Sequence, residues 1–226
     1  MTVEQTAPST PDAPGGLRER KKQRTREALL RVALELFTTK GYERTTVDEI
    51  TEAVQVSQRT FFRYFANKEE VAFAVQDLVE SQYFTALHAR PPEESPFEAM
   101  RNAVLASWDD IGLTIEDVVP LDLYLRTFQV IESSPALLAI HLRRSAELED
   151  KIVHLIAARE GLDLDTDPRP RVAVAAFDGV MRASGRVWGQ GQDVSIAAMR
   201  ELTVTYLDHF GPALAGNWRA TGAHGL

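Results

Sequence analysis

The sequence predicts an all-α fold, with a three-helix helix-turn-helix head followed by a larger helical domain. Three observations predict it. Residues Thr46 to Phe65 read as two short amphipathic helices joined by a tight turn. Elsewhere apolar residues recur at spacings of three and four, between recognisable helix starts and stops. No run of β-branched residues alternates with polar ones as a half-buried strand would.

The elements follow in order. Residues 1–16 are rich in Thr, Pro, Ser and Gly and read as a disordered arm, without the basic and apolar regions of a signal peptide. The first helix has a basic lead-in, Arg18 to Arg26, and an apolar face of Leu29, Val32, Ala33, Leu36 and Phe37. It runs to about Lys40, where Gly41 suits a left-handed C-cap. Thr46 and Glu49 form a capping box for the second helix, whose inner face is Val47, Ile50 and Val54. Ser57 caps the third, with Phe61 and Phe65 inward. Asn67 caps a fourth helix that reaches about Ala89, before Pro91-Pro92.

Ser95-Pro96 starts a fifth helix, through Trp108, and Thr114 opens a short one. Further helices span about Val119 to Glu132, Ser134 to Gly161, Asp167 to Gly189, and Asp193 or Ser195 to Leu214. The expected domains are residues 17–66 for the head, 67–216 for effector binding and dimerisation, and 217–226 for a tail.

A net charge of −8 looks wrong for a DNA binder until it is divided. Residues 17–66 hold eleven Lys/Arg and seven Asp/Glu, or +4, which leaves −12 for the rest. A basic end can meet phosphates while an acidic body stays in solution. A single solvated basic helix end would skew the count the same way. The absence of cysteine excludes disulfides and thiolate metal sites and fits a cytoplasmic protein. No stretch is long and apolar enough for a membrane helix.

On the third helix Gln58, Arg59, Thr60, Phe62 and Arg63 fall away from the Phe61 side. Gln58 suits bidentate pairing with adenine and Arg59 with guanine. Thr46 and Ser57 sit at helix starts, where free N–H groups favour a phosphate. Phe62 suits a thymine methyl or a sugar.

Thr45-Thr46-Val47, Val56-Ser57, Thr60-Phe61-Phe62-Arg63-Tyr64-Phe65 and Asn67-Lys68-Glu69 resemble the DNA-binding head of the TetR (tetracycline-repressor-like) regulators. Pro135-Ala136-Leu137-Leu138, His141 to Arg144, Glu147-Leu148-Glu149 and Arg182 to Trp188 resemble the C-terminal domain of the mycofactocin-system regulator type. The resemblance implies a homodimeric repressor of a palindromic double-stranded operator, with a small-molecule pocket and a dimer interface from the last two helices. It matches Thr60, Tyr64 and Lys68 to backbone-contacting positions. The sub-type implies acyl-coenzyme-A-like or other amphipathic effectors. Three positions depart from the family: Phe62 and Tyr64 stand where Tyr and His are frequent, and Gln55 stands where the turn often has Gly.

For the dimer, Ala175, Gly179 and Ala183 form a small-residue stripe that admits a close helix, with Trp188 among the larger neighbours. Close packing within one chain would need the same stripe. Met199, Tyr206 and Phe210 are among the matching residues of the last helix. The pocket nominations are Trp108, Tyr124, Phe128 and Phe177, with Arg126 or His141 to meet an acidic group; each also suits ordinary core or surface. The five histidines lack metal-ligand spacing, and neither a phosphate-cradling glycine loop nor a nucleophile elbow appears. The chain therefore reads as no enzyme and as having no metal or cofactor. The rival reading is a helical protein-interaction module that uses the head fold without DNA.

Overall fold

The computed structural model of the chain describes residues 14–191, 193 and 195–215. The tail and all but the end of the expected arm lie outside them. Nine α-helices, and no strand, occur among the described residues. They are α1 (Pro14–Thr39), α2 (Val47–Ala53), α3 (Gln58–Phe62), α4 (Lys68–His88), α5 (Pro96–Glu116), α6 (Leu121–Ser133), α7 (Pro135–Glu160), α8 (Arg169–Gln190) and α9 (Ile196–Ala215). They form two compact units, one ending at Val71 and the other starting at Ala72, a few residues past the boundary expected from sequence.

The first unit is built on α1. Leu29, Leu30, Ala33, Leu34 and Phe37 are buried there, against Ile50, Phe61 and Phe65. Gly41 takes φ +94° at the end of α1, a conformation that favours glycine. The chain then turns so that Tyr42 packs edge-on to Phe37, with ring centroids 5.1 Å apart. The Thr46–Glu49 capping box is formed, and Lys40 pairs with Glu49.

The second unit has its core where α4, α5, α7, α8 and α9 supply Leu87, Met100, Ile156, Phe177 and Leu207. Buried hydroxyls of Ser184 and Thr203, 3.2 Å apart, join α8 to α9. Arg159 closes the turn after α4 by donating to the carbonyls of Arg90, Pro91 and Glu94. Glu94 accepts from Arg90 and Asn102. The hydrogen bond from Arg90 chiefly holds its carboxyl down to about 2.

Several boundaries differ from the sequence reading. α1 begins at Pro14, so residues 14–16 are helical rather than part of the arm. α5 continues to Glu116 instead of ending near Trp108 and restarting at Thr114. Gly112 alone is a weak breaker, and the helix gives way after Glu116 to a turn in which Val118 and Val119 donate to the Ile115 carbonyl, ahead of Pro120. α3 ends at Phe62, since Tyr64 and Phe65 both donate to the Phe61 carbonyl and close the last turn.

Candidate nucleic-acid interface and effector cavity

The turn between α2 and α3 depends on Gln55, whose φ of +57° is left-handed. Its N–H donates to the Glu52 carbonyl at 3.0 Å, and that of Val56 donates to Thr51 at 2.9 Å. Ser57 then caps α3, its Oγ accepting from the Thr60 N–H at 3.2 Å. This fixes the helix phase. Phe61 is fully buried, while Gln58, Arg59, Phe62 and Arg63 are exposed. Phe62 is 53% exposed, too far for a residue held there by the protein core.

The polar residues differ in what occupies them. Arg59 makes no ion pair among the described residues. Gln58 donates to Asp48 on α2. The Arg63 guanidinium lies 4.9 Å from the centre of the Tyr64 ring and donates to its hydroxyl at 3.2 Å. Thr46 is exposed at the N-cap of α2. Lys68 is the exception among the expected contacts. Its Nζ donates to the carbonyls of Tyr42 and Thr45, both at 2.8 Å, and sits 4.1 Å from the Tyr42 ring centre. That ammonium is occupied in closing the loop between α1 and α2.

The second unit encloses a cavity of about 460 Å³. Trp108, Tyr124, Phe128, His141 and Phe177, nominated from sequence, all line it. Arg126 does not: it is exposed and pairs with Asp122 one helical turn away. Sequence reasoning missed Gln76, Glu80 and Tyr83, which line the cavity from one face of α4. Their spacing of four and three was the available signal.

His141 joins three helices at the cavity wall. Gln76 of α4 donates to its Nδ1 at 3.1 Å, and Glu132 at the end of α6 lies 3.7 Å from its Nε2. Phe73 stacks on the ring. Burial pushes the imidazole pKa down against the opposing pull of Glu132, so the ring is neutral, accepts at Nδ1 and carries its proton on Nε2. Burial also raises the Glu80 carboxyl, despite the Gln76 hydrogen bond and Lys151. Burial, then Glu80, pushes the Tyr124 phenol up to about 12. Of the two arginines of α8 that line the cavity, Arg182 is paired with Asp178 and Arg186 makes no ion pair among the described residues.

The nominated dimer residues divide. Ala175 is exposed, and Gly179 and Ala183 are half-buried on the same face as exposed Val172 and Val187. Trp188 is 4% exposed, packs edge-on against Phe128 and donates its indole N–H to the Ser195 carbonyl. It is a core residue of its own chain, because five positions past Ala183 place it about 140° around the helix. Met199 lines the cavity, and Phe210 stacks on Phe97 at 5.1 Å. Tyr206 is half-buried, three residues past buried Thr203 and four before Phe210 on one face of α9.

The exposed row Gln58, Arg59, Arg63 above a buried Phe61 is what a recognition helix requires, and it puts the chain among the helix-turn-helix DNA-binding regulators. Comparison with known proteins narrows this. Residues 29–75 match the domain described as bacterial regulatory proteins, tetR family, and residues 94–209 match the MftR C-terminal domain. The HTH-type transcriptional regulator TcmR of Streptomyces glaucescens is 44% identical over 215 residues, which cover 95% of each chain. MftR of Mycobacterium tuberculosis is 26% identical over 178 residues, 78% of this chain and 86% of that one. Among solved structures, SmeT in complex with triclosan superposes with a TM-score of 0.54 at 17% identity, covering 84% of this chain and 91% of the other. A regulator from Aquifex aeolicus gives 0.53 at 16% identity, covering 81% and 98%. The chain belongs to the TetR family of bacterial transcriptional regulators, and these homologues are regulators rather than enzymes.

Proposed function

We propose that the protein is a repressor that binds a palindromic operator as a homodimer and leaves it when an aromatic small molecule fills the cavity of the second unit. The observation that carries this is the cavity itself, about 460 Å³ and walled by Trp108, Tyr124, Phe128 and Phe177 in a chain that also holds a helix-turn-helix. That volume suits a drug-sized ligand. Gln58 and Arg59 read bases, while Thr46, Ser57, Thr60, Arg63 and Tyr64 hold phosphates and Phe62 meets a methyl or sugar. Two copies related by a two-fold axis would read half-sites about 34–36 Å apart or a multiple of it. The two copies pair through the α8 face of Ala175, Gly179 and Ala183, and the assembly works in the cytoplasm.

The lining argues about the effector's charge. Glu80, Glu132, Asp178, Arg182 and Arg186 border the cavity, His141 is neutral, and Arg182 is paired with Asp178, which leaves Arg186 as the cation without an ion pair among the described residues. A polyanion such as an acyl-coenzyme A would have Arg186 alone to set against three acids. An uncharged aromatic molecule with hydroxyl or amine donors suits Glu80 and Gln76. SmeT, a protein of this fold, is seen with triclosan. α4 supplies both cavity residues and begins in the DNA-binding unit, so ligand contact would act on that helix. Effector and operator then weaken one another by one common factor, on the order of 5–150-fold.

Genomic mapping of bound sites, followed by gel shift, tests the reading. An inverted repeat bound by a dimer is expected. Asymmetric single half-sites, or binding unaffected by any compound that quenches Trp108 fluorescence, would refute it.

A further inference from the structure

Most of the positive charge of residues 17–66 lies away from the recognition helix, which with its cap holds only Arg59 and Arg63. Residues 17–26 hold six Lys/Arg and one Asp/Glu, or +5, whereas residues 27–66 hold five and six, or −1. The part of the head that folds compactly is therefore slightly acidic. All its net positive charge lies on the first turns of α1.

Those turns touch little of the protein. Every residue from Gly16 to Arg24 is exposed, and the first buried residue of α1 is Leu29. Arg18, Arg20, Lys21 and Arg24 have no ion-pair partner among the described residues; Lys22 pairs with exposed Glu19 at 3.1 Å. Arg20–Arg24 and Arg18–Lys22 are like charges four apart, an arrangement that opposes helix formation. A solvated helix gains nothing from it. A helix laid along a polyanion loses the repulsion and releases counterions. The root of the segment is fixed beside the recognition helix, since the Arg26 guanidinium sits 5.1 Å from the centre of the Phe65 ring, adjacent in sequence to Arg63 and Tyr64.

We infer that the projecting start of α1, through Arg18, Arg20, Lys21 and Arg24, supplies most of the phosphate-neutralising charge of DNA binding, on phosphates flanking the base pairs that α3 reads. Affinity and base choice are thereby assigned to different helices. This rests on the reading of α3 as a base-reading helix.

The test is the salt dependence of binding by the full-length protein. Wild type, the triple variant R20Q/K21Q/R24Q, the charge-keeping variant R20K/R24K and R59A are titrated against the mapped operator and a scrambled duplex. Three lost phosphate contacts lower the slope of log affinity against log salt by about 2.7 per protomer. From 50 to 200 mM salt that is a factor of about 40 per protomer, or about 1,800 for a dimer that loses six contacts, by which the triple variant loses affinity less steeply than wild type. Its ratio of operator to scrambled binding stays unchanged, and R20K/R24K keeps the wild-type slope. R59A changes the ratio while altering the slope by at most about one. An unchanged slope in the triple variant overturns the inference, as does a base preference that falls along with the slope. If wild type binds neither duplex, the DNA-binding reading fails; if it binds and only R59A weakens it, that reading stands and the role of α1 falls.

Discussion

Gln55 holds the turn of the helix-turn-helix at φ +57°, a conformation that costs a side-chain-bearing residue about 1–2 kcal/mol. Glycine would remove that cost and give back about 0.4–1 kcal/mol of unfolded-chain freedom. Gln55→Gly is therefore expected to stabilise the protein by about 0.5–1 kcal/mol, read as a higher urea midpoint at constant slope. Lys68→Met is expected to do the reverse. It removes the Lys68 ammonium from the carbonyls of Thr45 and of Tyr42, the latter keeping the Thr45 N–H, at a cost of about 1–3 kcal/mol, with the salt slope of DNA binding unchanged. A slope lowered by one at unchanged stability would restore Lys68 to the phosphate. Both residues show what sequence carries at this scale. The left-handed demand at Gln55 was legible from the family resemblance, in which the turn often has glycine at that place. The long-range targets of Lys68, Gln58 and Arg126 were not, because a long polar side chain is free to choose among partners that only the fold brings near.

Helices were more legible than their side chains. Ser57, Ser95 and Ser134 cap where the sequence places them, since a cap is local chemistry over three or four residues. Ends set by weaker signals moved, as at α5. On α8 the small-residue face was visible from its spacing, and the side occupied by Trp188 follows from the same helical phase once the buried face is known. The loop between α4 and α5 offers a test at this scale. The Glu94 carboxyl is held at about 2 against its ordinary 4.5, chiefly by Arg90. A lowered pKa contributes stability that is complete above 4.5 and lost as pH falls toward 2. Glu94→Gln should flatten the fall in stability across that window, measured by urea unfolding at pH 5, 4 and 3.

For the molecule as a whole, the charge division was legible by counting residues, and the cavity's aromatic wall by their position on the middle helices. The acids of the lining were not, because they come from α4, α6 and α8 and meet only in three dimensions. Dimerisation gives the remaining test. A Cβ on Gly179 meets no atom of its own chain within 4 Å. Gly179→Arg should leave helicity and thermal unfolding near wild type at low concentration while sedimentation velocity shows monomers. A variant that stays dimeric would move the interface elsewhere.

Gly185 lines the cavity, and a Cβ built on it would likewise meet nothing within 4 Å. One missing side chain thus helps to set how large a guest the protein admits. Replacement by alanine, valine or aspartate is a single nucleotide step from a glycine codon; alanine would shrink the chamber without disturbing a packed neighbour, and valine or aspartate would shrink it further or recharge it. A lineage could retune which compound switches its genes through this one codon, leaving operator, partner helix and core as they were.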